Sequence, residues 1–138
     1  MRDTELRRER DKELYSLYIR GIREHHFSNM HEAVDWVRSQ PASKFYVSSK
    51  ALVNYISLIE SGRKPDKMFS LNERKIHTLY KSYCKFLKDN PSCKLSRERI
   101  CEILVERPAS MFFICHDSAM KAILRERKRR IKELTDKL

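Results

Sequence analysis

The chain has 138 residues, 41% of them hydrophobic, so it can bury one real core and is not a disordered segment. Thirty Lys and Arg stand against 19 Asp and Glu, a net charge of +11, and there are only 2 Gly and 4 Pro. That composition leaves little material for phosphate-cradling loops or tight hairpins, favours helices, and attracts polyanions. No apolar run approaches the roughly 18 residues of a membrane span, and the first residues carry no apolar signal core. A cytoplasmic protein with reduced cysteines and no membrane association is expected.

The first helix is predicted over residues 3–24. Leu14, Leu17, Tyr18 and Ile22 make its apolar stripe, and the stretch before them is a solvated run of alternating charge. Ser28 is the expected cap of a second helix with an apolar face of Met30, Ala33, Val34 and Val37, which Pro41 stops. Phe45-Tyr46-Val47 reads as extended, being aromatic and β-branched. Ser48 or Ser49 then caps a third helix carrying Ala51, Leu52, Tyr55, Ile56 and Ile59.

Residues 61–69 read as a linker. Ser70 and Glu73 form an expected capping box, opening a fourth helix with Ile76, Leu79, Tyr80, Tyr83 and Leu87. Asn90-Pro91 breaks it, Ser96 caps a fifth helix with Ile100, Ile103 and Leu104, and Pro108 stops that one. Phe112-Phe113-Ile114 is a second extended piece, and a sixth helix runs from about residue 116 to near the end.

The order helix, helix, tripeptide, helix occurs twice, and the residues repeat with it. At a shift of 67, Pro41, Ala42, Ser43, Phe45 and Ile56 meet Pro108, Ala109, Ser110, Phe112 and Ile123. Tyr46 meets Phe113, Val47 meets Ile114, and Trp36 meets Ile103. At a shift of 65, Leu14-Tyr15 and Tyr18 meet Leu79-Tyr80 and Tyr83. The expected fold is therefore all-α: one domain over 1–138, built of two tandem pseudo-symmetric three-helix units. The units span about 3–60 and about 70–128, and a basic helical extension reaches 138. A lone tripeptide cannot satisfy its own backbone, so antiparallel pairing of the two tripeptides about a pseudo-twofold axis is expected.

Catalysis and metal binding find no support. Cys84, Cys93, Cys101 and Cys115 contain no metal-ligand spacing, and His25, His26 and His31 have no partner at recognisable spacing. Cys115-His116-Asp117 are chain neighbours that point apart, and the repeat lacks them. No enzyme activity, cofactor or metal is expected.

Three helices with the third introduced by a capped serine resemble helix-turn-helix DNA-binding modules in outline, over residues 28–60 and, with Cys115 in the serine's place, 95–128. The resemblance implies nucleic-acid binding, double-stranded DNA first, in a regulatory or accessory role. Lys50, Asn54 and Ser57 would be the outward positions of the first copy, and Asp117, Lys121 and Leu124 the matching ones of the second, with Lys50, Asn54 and Lys121 as the contacts. Arg125, Arg127, Lys128, Arg129 and Arg130 would contact phosphates from the sixth helix. The rival reading is a protein-interaction or scaffold module. Leu124, Ile131, Leu134 and Leu138 form a narrow seam on that helix, which needs the first helix or a second copy of the chain, as a homodimer, to cover it.

Overall fold

The computed structural model describes residues 3–63 and 71–138, and among these it is all-helical, with no strand. Six helices follow one another: α1 Asp3–Glu24, α2 Met30–Ser39, α3 Ser49–Glu60, α4 Leu71–Asp89, α5 Arg97–Val105 and α6 His116–Asp136. None is long and apolar enough to cross a membrane.

Their ends follow from local chemistry. Asn29, rather than Ser28, caps α2: its Oδ1 accepts from Glu32 N–H at 3.0 Å, while Glu32 Oε2 accepts from Ser28 N–H at 2.8 Å. Ser48 Oγ caps α3 at Ala51, and Ser96 Oγ caps α5 at Arg99, both at 3.1 Å. Gln40, ahead of Pro41, ends α2 in an extended conformation, as proline requires of the residue before it. The expected capping box at Ser70 and most of the linker lie outside the described residues. Gly62, at φ +84, turns the chain after α3, a left-handed conformation that glycine adopts without penalty.

The helices do not pack in chain order. α1, α2 and α6 pack on one another, and α3 packs on α4 and α5, which pack on each other. Among the described residues neither α2 with α3 nor α5 with α6 forms a packed pair. This corrects the helix-turn-helix outline, in which successive helices pack across a short turn. Here the joint from Gln40 to Ser48 carries α3 away to the other cluster. α1 and α6 lie side by side in the same direction, since Asp11 meets Arg125 and the Arg130 guanidinium sits 4.6 Å above the Tyr15 ring.

The two joints meet where the chain changes cluster. Ala42 and Ala109 are buried and exchange both backbone hydrogen bonds, each 2.9 Å, as an isolated antiparallel bridge. Past it, Phe45 stacks on Phe113 and Tyr46 on Phe112, with centroids 6.1 and 6.2 Å apart. The tripeptides themselves are not strands. Tyr46 and Phe113 both have φ 53, a left-handed conformation that costs a non-glycine residue roughly 1–2 kcal/mol and ends any ladder. Stacking holds them there, and the Tyr46 hydroxyl donates to Glu13, whose carboxylate also accepts from Ser43 N–H at 3.0 Å.

One apolar core runs through both clusters, with Leu14, Val34, Leu52, Ile56, Leu79 and Ile123 wholly buried. Phe45 and Phe112 are buried, and Trp36 and Ile103 half-buried. α1 does not cover the seam of α6. Leu124, Ile131, Leu134 and Leu138 remain 43, 56, 65 and 106% exposed, because α6 turns Ala119, Ala122, Ile123 and Glu126 inward instead.

Candidate nucleic-acid interface

The basic residues of α6 divide by what faces them. Asp11 is 1% exposed, a position where a carboxylate needs cationic partners. Its Oδ2 accepts from Arg125 Nε at 2.9 Å and Nη2 at 2.7 Å, and its Oδ1 from Arg10 Nη2 at 3.3 Å. Glu126, 2% exposed, accepts from Arg129 at 2.7 Å and from Arg130 at 3.1 Å. Arg125, Arg129 and Arg130 are thus engaged in neutralising buried carboxylates. Lys121, Arg127 and Lys128 are exposed and form no ion pair among the described residues.

Lys50 and Asn54 are exposed on α3, in the other cluster. Lys50 lines a groove of about 510 Å³ together with Arg99, Glu102 and Glu106 of the α5 region. That mixture of signs weakens it as a phosphate contact. The structure therefore does not assemble the eight residues chosen from the sequence into one surface. It groups Lys121 and Arg125 around a cleft of about 690 Å³ with Arg7 and Arg10 of α1 and Lys75 of α4.

Arg7, Arg10 and Lys75 escape a reading based on motifs. Lys75 looks like one more cation on an amphipathic helix, yet it is only 8% exposed. Burial, reinforced by the charge of Arg10, lowers its ammonium pKa to about 8. Its Nζ donates at 3.3 Å to the carbonyl of Tyr46, the residue held in the left-handed conformation. The available signal was the shift of 65 between α1 and α4, which matches Arg10 with Lys75.

The cysteines differ from one another. Cys101 lies in the core, where burial raises its thiol to about 11. Cys84 is exposed on α4. Cys115 occupies the N-cap of α6 without capping it; hydrogen bonding with Ser118 holds its thiol below the ordinary range. His31 Nδ1 lies 3.0 Å from His116 Nε2, and His116 Nδ1 lies 2.7 Å from Asp35 Oδ1, a polar chain joining α2 to the start of α6. No group of three or more His, Cys, Asp or Glu among the described residues is placed to hold a metal. No family model matches the chain, and a search of curated proteins and of solved structures finds no match to it either.

Proposed function

We propose that the chain is a cytoplasmic nucleic-acid-binding protein, with double-stranded DNA as its first ligand, in a regulatory or accessory role, and that its basic helices contact phosphates. The observation that carries this reading is the unpaired exposed set Lys121, Arg127 and Lys128 on one helix of a chain with net charge +11. Cations with no internal carboxylate are free to release counterions from a polyanion. The contacts supply affinity and position rather than base reading, since among the described residues neither α2 with α3 nor α5 with α6 makes the packed pair of a reading head.

The test is an anisotropy titration of a random duplex over a range of salt. Replacing Lys121, Arg127 and Lys128 by Gln should weaken binding and flatten the slope of log K against log[salt] by about 0.9 per lost contact. No binding of the parent chain to duplex, single strand or RNA at low salt would end the reading.

We also infer a tandem duplication in which the units exchange their third helices. Supporting it, Ala42 and Ala109 are 67 residues apart, as are Tyr46 and Phe113, which share φ 53. In the same register, α6 on α1 and α2 mirrors α3 on α4 and α5.

A second reading has its own observation. Leu124, Ile131, Leu134 and Leu138 are exposed along one side of α6 and past its end, where a second copy of the chain could cover them. A homodimer through these residues should sediment as two chains, and Ile131→Lys should yield a folded monomer.

A further inference from the structure

The cleft between α1, α4 and the start of α6 is built differently from an ordinary charged surface. Arg7, Arg10, Lys75, Lys121 and Arg125 line it, and among the described residues no carboxylate does. Asp11, behind it, offsets only Arg10 and Arg125. One of the cations, and one nitrogen of a second, are held away from water. Lys75 is 8% exposed with one carbonyl partner for its three N–H groups, and Arg10 Nε is buried with no hydrogen-bond partner. An unmatched buried donor costs free energy unless something accepts from it. A second, smaller cleft of about 320 Å³ shares Arg7, Arg10 and Lys75 and opens at Ser48. The two cations therefore stand at the junction of both clefts.

The start of α6 adds to this field. Cys115 meets the first turn of α6 only through Ser118, a thiol in place of the hydroxyl with which Ser48 caps α3, so the leading N–H groups of α6 lack a strong side-chain acceptor there. Ser118, in that first turn, also lines the larger cleft.

We propose that this cleft is a binding site for a terminal phosphate: a phosphate monoester or a diphosphate group, held by Lys75 and Arg10 with Arg7 and Lys121 at its mouth. The ligand follows from charge density. A buried ammonium and a guanidinium side by side are best matched by a compact group with two or more negative charges and several acceptor oxygens. A backbone phosphodiester carries a single charge and is bonded on two sides, so it suits the open face of α6 better. The site thus goes beyond the duplex reading and does not depend on it. Its chemistry has two sources, a free phosphorylated small molecule or the 5′-phosphate end of a nucleic-acid strand.

The test uses the full chain and inorganic pyrophosphate in a calorimetric titration at low ionic strength. Saturable one-to-one binding is expected, weakened about tenfold or more in Lys75→Met through loss of a charge-assisted contact. Arg127→Gln with Lys128→Gln, outside the cleft, should leave pyrophosphate binding unchanged even where duplex binding falls. Circular dichroism checks that Lys75→Met folds; if it does not, Arg7→Gln, at an exposed position, should weaken binding in its place. Alkylation of Cys115, followed by peptide mass, should slow when pyrophosphate is present, since that thiol lines the cleft. Paired titrations then name the source: ADP against adenosine, and a 5′-phosphorylated strand against its 5′-hydroxyl twin. A preference for either phosphorylated member supports the site. The proposal is overturned if the parent chain binds no pyrophosphate. It is also overturned if the folded cleft variants bind as the parent does, or if neither phosphorylated ligand outbinds its partner.

Discussion

Lys75 shows how a buried cation writes itself into the stability of the protein. Its ordinary value is 10.5 and its folded value about 8, so between those limits the unfolded chain holds a proton that the folded one lacks. Stability therefore rises with pH from about 8 upward, and the penalty is fully present below that. Cys101 acts with the opposite sign. Its thiol goes from 9.0 up to about 11, so stability falls as pH rises above 9. The parent chain should gain stability between pH 8 and 9 and flatten above. Lys75→Met removes a penalty of about 3 kcal/mol and forfeits a hydrogen bond worth about 1 kcal/mol. It should be about 2 kcal/mol more stable than the parent at pH 7, with the gap closing toward pH 10. Urea denaturation at the two pH values checks it, and a variant less stable at pH 7 would refute the account. Glu126 makes the converse case. Replacing both Arg129 and Arg130 by Ala leaves its carboxylate buried without a partner and should cost about 3 kcal/mol or more. Thermal unfolding at pH 7 measures that loss.

At the scale of elements, Gly21 decides how closely α1 approaches α2. A Cβ there would lie 2.7 Å from Trp36 Cζ3 and 2.8 Å from Cε3, within the rigid ring rather than at a flexible tip. Gly21→Ala would gain about 1 kcal/mol of helix propensity and lose about 1–3 kcal/mol to overpacking, for a net destabilisation. The only Trp of the chain is the reporter, so a shift in its emission together with a lower melting temperature is expected.

Helix positions were legible because caps and breakers act locally: Ser48, Ser96, Pro41 and Pro108 work within a few residues of themselves. Tyr46 and Phe113 were not legible. Their side chains favour extended backbone, and only stacking across the joints, with Glu13 at Tyr46, reverses that preference. The candidate site was legible in its sign and not in its membership. A sequence displays Arg125, Arg129 and Arg130 without showing that α6 buries Glu126, or that α1 buries Asp11 beside them. Lys75 and Arg10 become neighbours only through packing between the two halves.

For the molecule as a whole, each three-helix cluster draws its members from both halves of the chain. A fragment of residues 1–63 holds α1 and α2 without α6, and α3 without α4 and α5. Alone and dilute it should lack the cooperative unfolding of the parent, since helices of this length are marginal without tertiary packing. Mixed with a fragment of residues 71–138 it should recover helical signal and a single melting transition. A stable, monomeric, cooperatively unfolding 1–63 would show that the clusters are not interdependent.

The packing of α1 on α6 also bears on the order in which the fold can form. Synthesis delivers α1 first and α6 last, yet these two pack along each other. α1 and α2 can pack on each other early, but the apolar side chains they turn toward α6 stay uncovered until that helix is made. α3 likewise emerges before α4 and α5, the helices it packs on. The α1, α2 and α6 cluster can close only once α6 has emerged, whereas α3, α4 and α5 are delivered one after another and can close sooner.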